Sequence, residues 1–69
     1  MATLRADQLA YAHDGKRIHF ICDGTEHRGT LDFEHFDHDE YHWRINYIDD
    51  NGKRIRPLVP IGTLIDIED

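Results

Sequence analysis

From Lys16 onward, apolar and polar residues alternate with a period of two. Ile18, Phe20 and Cys22 interleave with Arg17, His19 and Ile21, the pattern of a strand over about 16–22 with one buried face. Asp23-Gly24 supplies a turn, and a second strand follows over about 27–34. Leu31 and Phe33 fall on one side of it, with Thr30, Asp32 and Glu34 on the other. Gly29 inside that strand marks a bend or a close backbone approach. A third strand over about 41–48 puts Trp43, Ile45 and Tyr47 on one face and Arg44, Asn46 and Ile48 on the other. Asp49-Asp50-Asn51-Gly52 predicts a hairpin in which Asn-Gly supplies both positive-φ positions. The fourth strand, about 54–59, contains Pro57, which has no N–H to donate and so marks an edge or a bulge. Pro60-Ile61-Gly62 turns tightly into a short fifth strand over about 63–67. Ahead of the strands, residues 4–12 read as one short helix. Thr3 can cap it, Leu4, Leu9 and Ala10 or Ala12 share a face, and Asp14-Gly15 stops it.

One helix and five short strands in 69 residues make a single, mostly β domain spanning 1–69. Short strands joined by tight turns are expected to close into a small barrel, which removes exposed edges. A chain this short buries only roughly 60% of its unfolded surface, so the core is one thin layer. Its 39% apolar and 32% charged residues describe a globular chain rather than a disordered one. There is no run of 18 apolar residues to span a membrane and no secretory signal at Met1–Asp7. The single cysteine, Cys22, can form no internal disulfide and reads as a small core residue. A small secreted domain would need disulfide or metal staples, so the chain is expected in the cytoplasm.

The segment Gly15 to Leu31 resembles the first half of an Sm/LSm-like domain. That family opens with a short helix, continues with an alternating strand, an Asp-Gly turn and a Gly-x-Leu in a strongly bent second strand; Leu9 through Leu31 follows the same pattern. The resemblance implies a five-stranded SH3-like or Sm-like small barrel, and with it a ring assembled through the fourth and fifth strands. In the family, an aspartate and an asparagine after the Gly-x-Leu help form a uridine pocket. Here those positions fall near His35 and Asp39, and neither matches. The family's Arg-Gly before the last strand is Ile61-Gly62.

The net charge of −6 argues against a duplex-DNA binder built on phosphate neutralisation. Acidic residues gather at 32–40 and 66–69, and basic ones at Lys16-Arg17 and at Lys53, Arg54 and Arg56. One acidic and one basic edge suit pairing between copies. An acidic DNA mimic needs the carboxylates of 32–40 and 66–69 on one face. Three histidines and several carboxylates in residues 35–42 make His35, His38 and His42 weak metal candidates, because alternation puts His35 and His38 on opposite faces. The plainer reading is a solvated acidic loop; the same histidines could also make a contact sensitive to pH. No cofactor is expected. Catalysis finds no support, with no serine in the chain and no room for a deep pocket. Phe20, Phe33 and Trp43 are expected in the core, and Phe36, Tyr41 and Tyr47 partly exposed. Leu64 and Ile65 are neighbours on a strand, so one of them must point outward. The expected function is a non-catalytic interaction module, a protein–protein adaptor or self-assembling subunit. An RNA-binding ring subunit, taking single-stranded RNA, is the alternative.

Overall fold

The computed structural model of the chain describes residues 2–33 and 38–68. It is mostly β, with strands β1 (Ala2–Arg5), β2 (Arg17–Cys22), β3 (Thr25–Leu31), β4 (His42–Arg44), β5 (Tyr47–Ile48), β6 (Arg54–Ile55), β7 (Leu58–Pro60) and β8 (Leu64–Glu68). The longest pairing is the hairpin of β2 and β3, in register from Arg17↔Thr30 to Cys22↔Thr25. Asp23 (φ 52°) and Gly24 (φ 76°) between them both take left-handed conformations, as a two-residue type I′ turn requires. The alternation expected along β2 holds. Ile18 and Phe20 are buried, while Arg17, His19 and Ile21 point the other way.

The third and fourth strands form one hairpin, broken in the middle. β4 pairs with β7 and β5 with β6, and the register Arg44↔Leu58 on one side of the break runs on as Tyr47↔Ile55 on the other. Pro57 is the cause. The Ile45 N–H donates to the Pro57 carbonyl at 2.9 Å, but Pro57 has no N–H to return. The turn of this hairpin differs from expectation. Among residues 49–52 only Gly52 has positive φ, at 80°, so Asn51-Gly52 is not a two-residue type I′ turn. The Asp49 carboxylate accepts the N–H groups of Asn51 and Lys53 at 2.9 and 2.8 Å, which favours a three-residue loop closed by Gly52.

Residues 4–12 are not a helix. β1 lies antiparallel to β8, from Ala2↔Ile67 to Arg5↔Leu64, and Ala6–Gln8 and Tyr11–His13 are separate 3₁₀ turns. A lone helix of nine residues is marginal because its nucleation is costly. The outer edge of β8 instead offers this segment a row of main-chain partners. Ala6 and Leu9 are then buried against the core, while Ala10 and Ala12, expected to share their face, are exposed.

The strands assemble in the order β1-β8-β2-β3-β5-β6, with β4-β7 as a separate pair. The larger sheet has two edges, β1 and β6, so the structure is an open sheet rather than the closed five-stranded barrel expected. Closure would require β8 to join the fourth strand. Both sides of β8 are already taken, by β2 and β1, and Pro57 cuts the fourth strand. The core lies on the inner face, around Phe20, Ile18, Leu31, Ile45, Val59, Ile65 and Ile67. Phe33 and Trp43 pack against it half-buried, and so does Cys22.

Tyr47 was expected to be partly exposed and is buried, at 4% exposure. Its phenol lies 2.7 Å from His27 Nδ1, and the His27 ring stacks on Phe20 with 4.7 Å between centroids. Burial pushes the His27 imidazole below its ordinary value of 6.5. The neutral ring therefore contributes stability that is fully present above pH 6.5 and is lost as the pH falls through the lowered folded value. Urea midpoints measured from pH ~8 down to ~5 should fall more steeply for the wild type than for His27→Phe, which cannot titrate. Equal slopes would show that the ring carries no linked proton.

Candidate interaction surface

The outer face of the six-stranded sheet is built by the residues that alternate with the core. One row crosses four strands as Thr3, Asp66, His19 and Arg28, set side by side by the registers of β1 with β8, β8 with β2 and β2 with β3. The row is tied together by polar contacts. The Thr3 hydroxyl donates to Asp66 Oδ1 at 2.8 Å, and Asp66 Oδ2 lies 3.7 Å from His19 Nδ1. Glu26 stands 3.3 Å from His19 Nε2 and 3.6 Å from Arg28. His19 Nε2 is buried, and the Glu26 approach misses hydrogen-bond geometry, so that nitrogen has no hydrogen-bond partner among the described residues.

Next to this row the sheet opens. The β2–β8 ladder runs from Arg17↔Glu68 only to His19↔Asp66. Continuing the same register would set Ile21 opposite Leu64, but the strands have parted by then. A groove of about 520 Å³ fills the space, lined by Ile21 and Cys22 from β2, by Thr63 and Leu64 at the start of β8, and by Pro60. Ile21 and Leu64 are among the most exposed large apolar residues, at 61% and 63%. Asp23 and Asp66 line the groove, and among the described residues no Lys or Arg does. Burial and the adjoining Asp23 both push the Cys22 thiol up, which makes it a poor nucleophile at neutral pH.

Of the neighbouring pair at the start of β8, Leu64 is the one exposed and Ile65 is wholly buried. Tyr41 is 66% exposed at the base of β4, near the tight turn in which Asp39 Oδ1 accepts the N–H groups of Tyr41 and His42 at 2.8 and 2.7 Å. Those two bonds hold the Asp39 carboxyl below its usual range. His38 stacks on Trp43 with 4.9 Å between ring centroids, and His42 sits 3.5 Å from Asp39. His35 and Phe36 lie outside the described residues. Among the described residues no three His, Cys, Asp or Glu side chains are grouped to hold a metal ion.

The basic segments are exposed but turned inward electrostatically. Arg54 pairs with Asp32, and Arg17 pairs with Asp50 at 2.8 Å. Lys53 and Arg56 are exposed beside them on the β5–β6 hairpin. The acidic and basic stretches of the sequence thus meet within one chain. Sequence reasoning missed Ile21, Asp23 and Asp66 as a group. The signal was present in part, because alternation already placed Ile21 on the face of Arg17 and His19; the parting of β2 from β8 has no local signature. No protein family model, no curated protein and no solved structure matches the chain. No helix is long and apolar enough to cross a membrane among the described residues.

Proposed function

We propose that the chain is a non-catalytic interaction module, an adaptor or self-assembling subunit, that binds through the outer sheet face around Ile21 and Leu64. The observation that carries this is the pairing of two large aliphatic side chains, 61% and 63% exposed, on neighbouring strands beside an open groove. A small domain that leaves such a pair uncovered while its core stays thin has a surface suited to a partner. The non-catalytic part rests on chemistry. The chain has no serine, the Cys22 thiol is pushed up, and the groove is open to solvent. A lone cysteine supports a reducing compartment, the cytoplasm.

We read the fold as an opened relative of SH3-like or Sm-like barrels. A meander from β2 through β7, with β8 returning beside β2, supports that reading. It also supports the second functional reading, an RNA-binding ring subunit, together with the His38–Trp43 stack and exposed Tyr41 as base-stacking groups. Against it stand the internal pairing of Arg17 and Arg54 and the presence of β1 on the β8 edge that a ring through the fourth and fifth strands would use.

Light scattering, with the absorbance ratio at 260 and 280 nm read on the same peak, is expected to give a small particle without nucleic acid. A ring-sized particle carrying nucleic acid would replace this reading with the RNA-binding one. Leu64→Lys should stay folded, since the side chain is exposed, and should abolish association with any partner or second copy that the wild type binds. Undiminished association in that variant would move the interaction to another face.

A further inference from the structure

The groove between β2 and β8 has three properties that together describe an occupant. The first is its main chain. The Leu31 N–H donates to the Lys16 carbonyl at 2.8 Å, which turns that carbonyl toward β3, so the even residues of β2 aim their peptide groups at β3 and the odd ones at β8. Thr63 accepts the Ala6 N–H, so on β8 the odd residues serve β1 and the even ones face β2. The peptide groups of Ile21 and Leu64 therefore face the groove, beyond the end of the β2–β8 ladder. The second is the apolar pair itself, Ile21 and Leu64, both exposed and both lining the groove. The third is charge. Asp23 and Asp66 stand on the walls, with no Lys or Arg among the described lining residues.

We infer that this groove binds an extended, basic segment of a partner protein, which lays its main chain along Ile21, its apolar side chains on Ile21 and Leu64, and its cations on Asp23 and Asp66. This is strand addition to a locally unpaired edge, with electrostatics setting the partner's sign. It rests on the interaction-module reading and names the partner's chemistry. A second copy of this chain fits less well, because its net charge of −6 opposes approach to an acidic groove and its Arg54 is engaged by Asp32.

The test uses the whole chain, ¹⁵N-labelled, and a capped heptapeptide of alternating lysine and valine, with an alternating glutamate and valine peptide as control. The lysine peptide is expected to shift the amides of residues 21–23 and 63–66. Its affinity should fall about fivefold or more in the Asp23→Asn, Asp66→Asn double variant and with added salt. Ile21→Lys, at an exposed position, should remove binding while leaving the spectrum dispersed. A footprint on another face, equal binding of the glutamate peptide, or no footprint at millimolar peptide would overturn the proposal. The same spectra followed against protein concentration separate the two levels. Concentration-dependent shifts at residues 21 and 64 without any response to the lysine peptide would remove the basic partner and leave the module. No response on any face to either would remove both.

Discussion

Alanine at position 29 is expected to destabilise the domain by about 3 kcal/mol, near the upper end for overpacking a close-packed site. Gly29 is buried where β3 passes β5. A Cβ there would lie 2.6 Å from Cδ2 of Tyr47 and closer still to the carbonyl oxygen of Ile48. The Tyr47 ring is fixed by Phe20 and His27, and the Ile48 carbonyl belongs to main chain paired with β3 and β6, so neither can move away cheaply. Alanine also stiffens the unfolded chain, which works the other way by ~0.4–1 kcal/mol and does not offset the clash. Gly62 provides the comparison. Nothing lies within 4 Å of a Cβ built there, and its φ is not in the positive region. Gly62→Ala should leave stability unchanged or raise it by up to ~1 kcal/mol. Urea denaturation of both variants checks the pair. Equal and small effects would mean that β3 and β5 are further apart than described.

Ile65→Lys should leave no folded protein at all. Ile65 is wholly buried in the inner layer, between the β1 and β2 neighbours of β8. A domain of this size has a total stability of roughly 3–10 kcal/mol. Losing the isoleucine burial removes about 2 kcal/mol, and an ammonium without a partner in that layer costs several more. Circular dichroism should show loss of the β signal at 25 °C. The residue before it gives the opposite outcome, since Leu64→Lys places its charge in water. A folded Ile65→Lys protein with a normal urea midpoint would show that the strand can slip by one residue and exchange its two faces.

These two positions also show what the chain made legible. Alternation identified β2 and β8 and the division of Leu64 from Ile65, because period-two patterning records which face meets the core. It also flagged Gly29 and Pro57, since a glycine without a turn and a proline within a strand have few structural uses. What stayed hidden depended on distant partners. Ala2–Arg5 carries no strand pattern of its own and becomes β1 because β8, some sixty residues on, has an edge to cover. Tyr47 looked like a surface tyrosine until His27, 20 residues earlier, supplied a partner for its hydroxyl. Asn51-Gly52 suggested a tight turn from its own two residues, and the Asp49 carboxylate selected a different loop. The groove depends on where two strands part, which no single residue encodes.

The place of β8 in the sheet governs the order of events as the chain is made. It lies between β1 and β2, yet it leaves the ribosome after both, and its Ile67 is partnered by Ala2. The β2–β3 hairpin can form early, through local contacts. The core layer cannot close until Ile65 and Ile67 arrive, so a nascent chain leaves Ile18 and Phe20 incompletely covered until the end of its synthesis. Folding of this domain is therefore a late, nearly single event. Its rate is set by bringing the most distant strands together, and its risk lies in the waiting edge of β2.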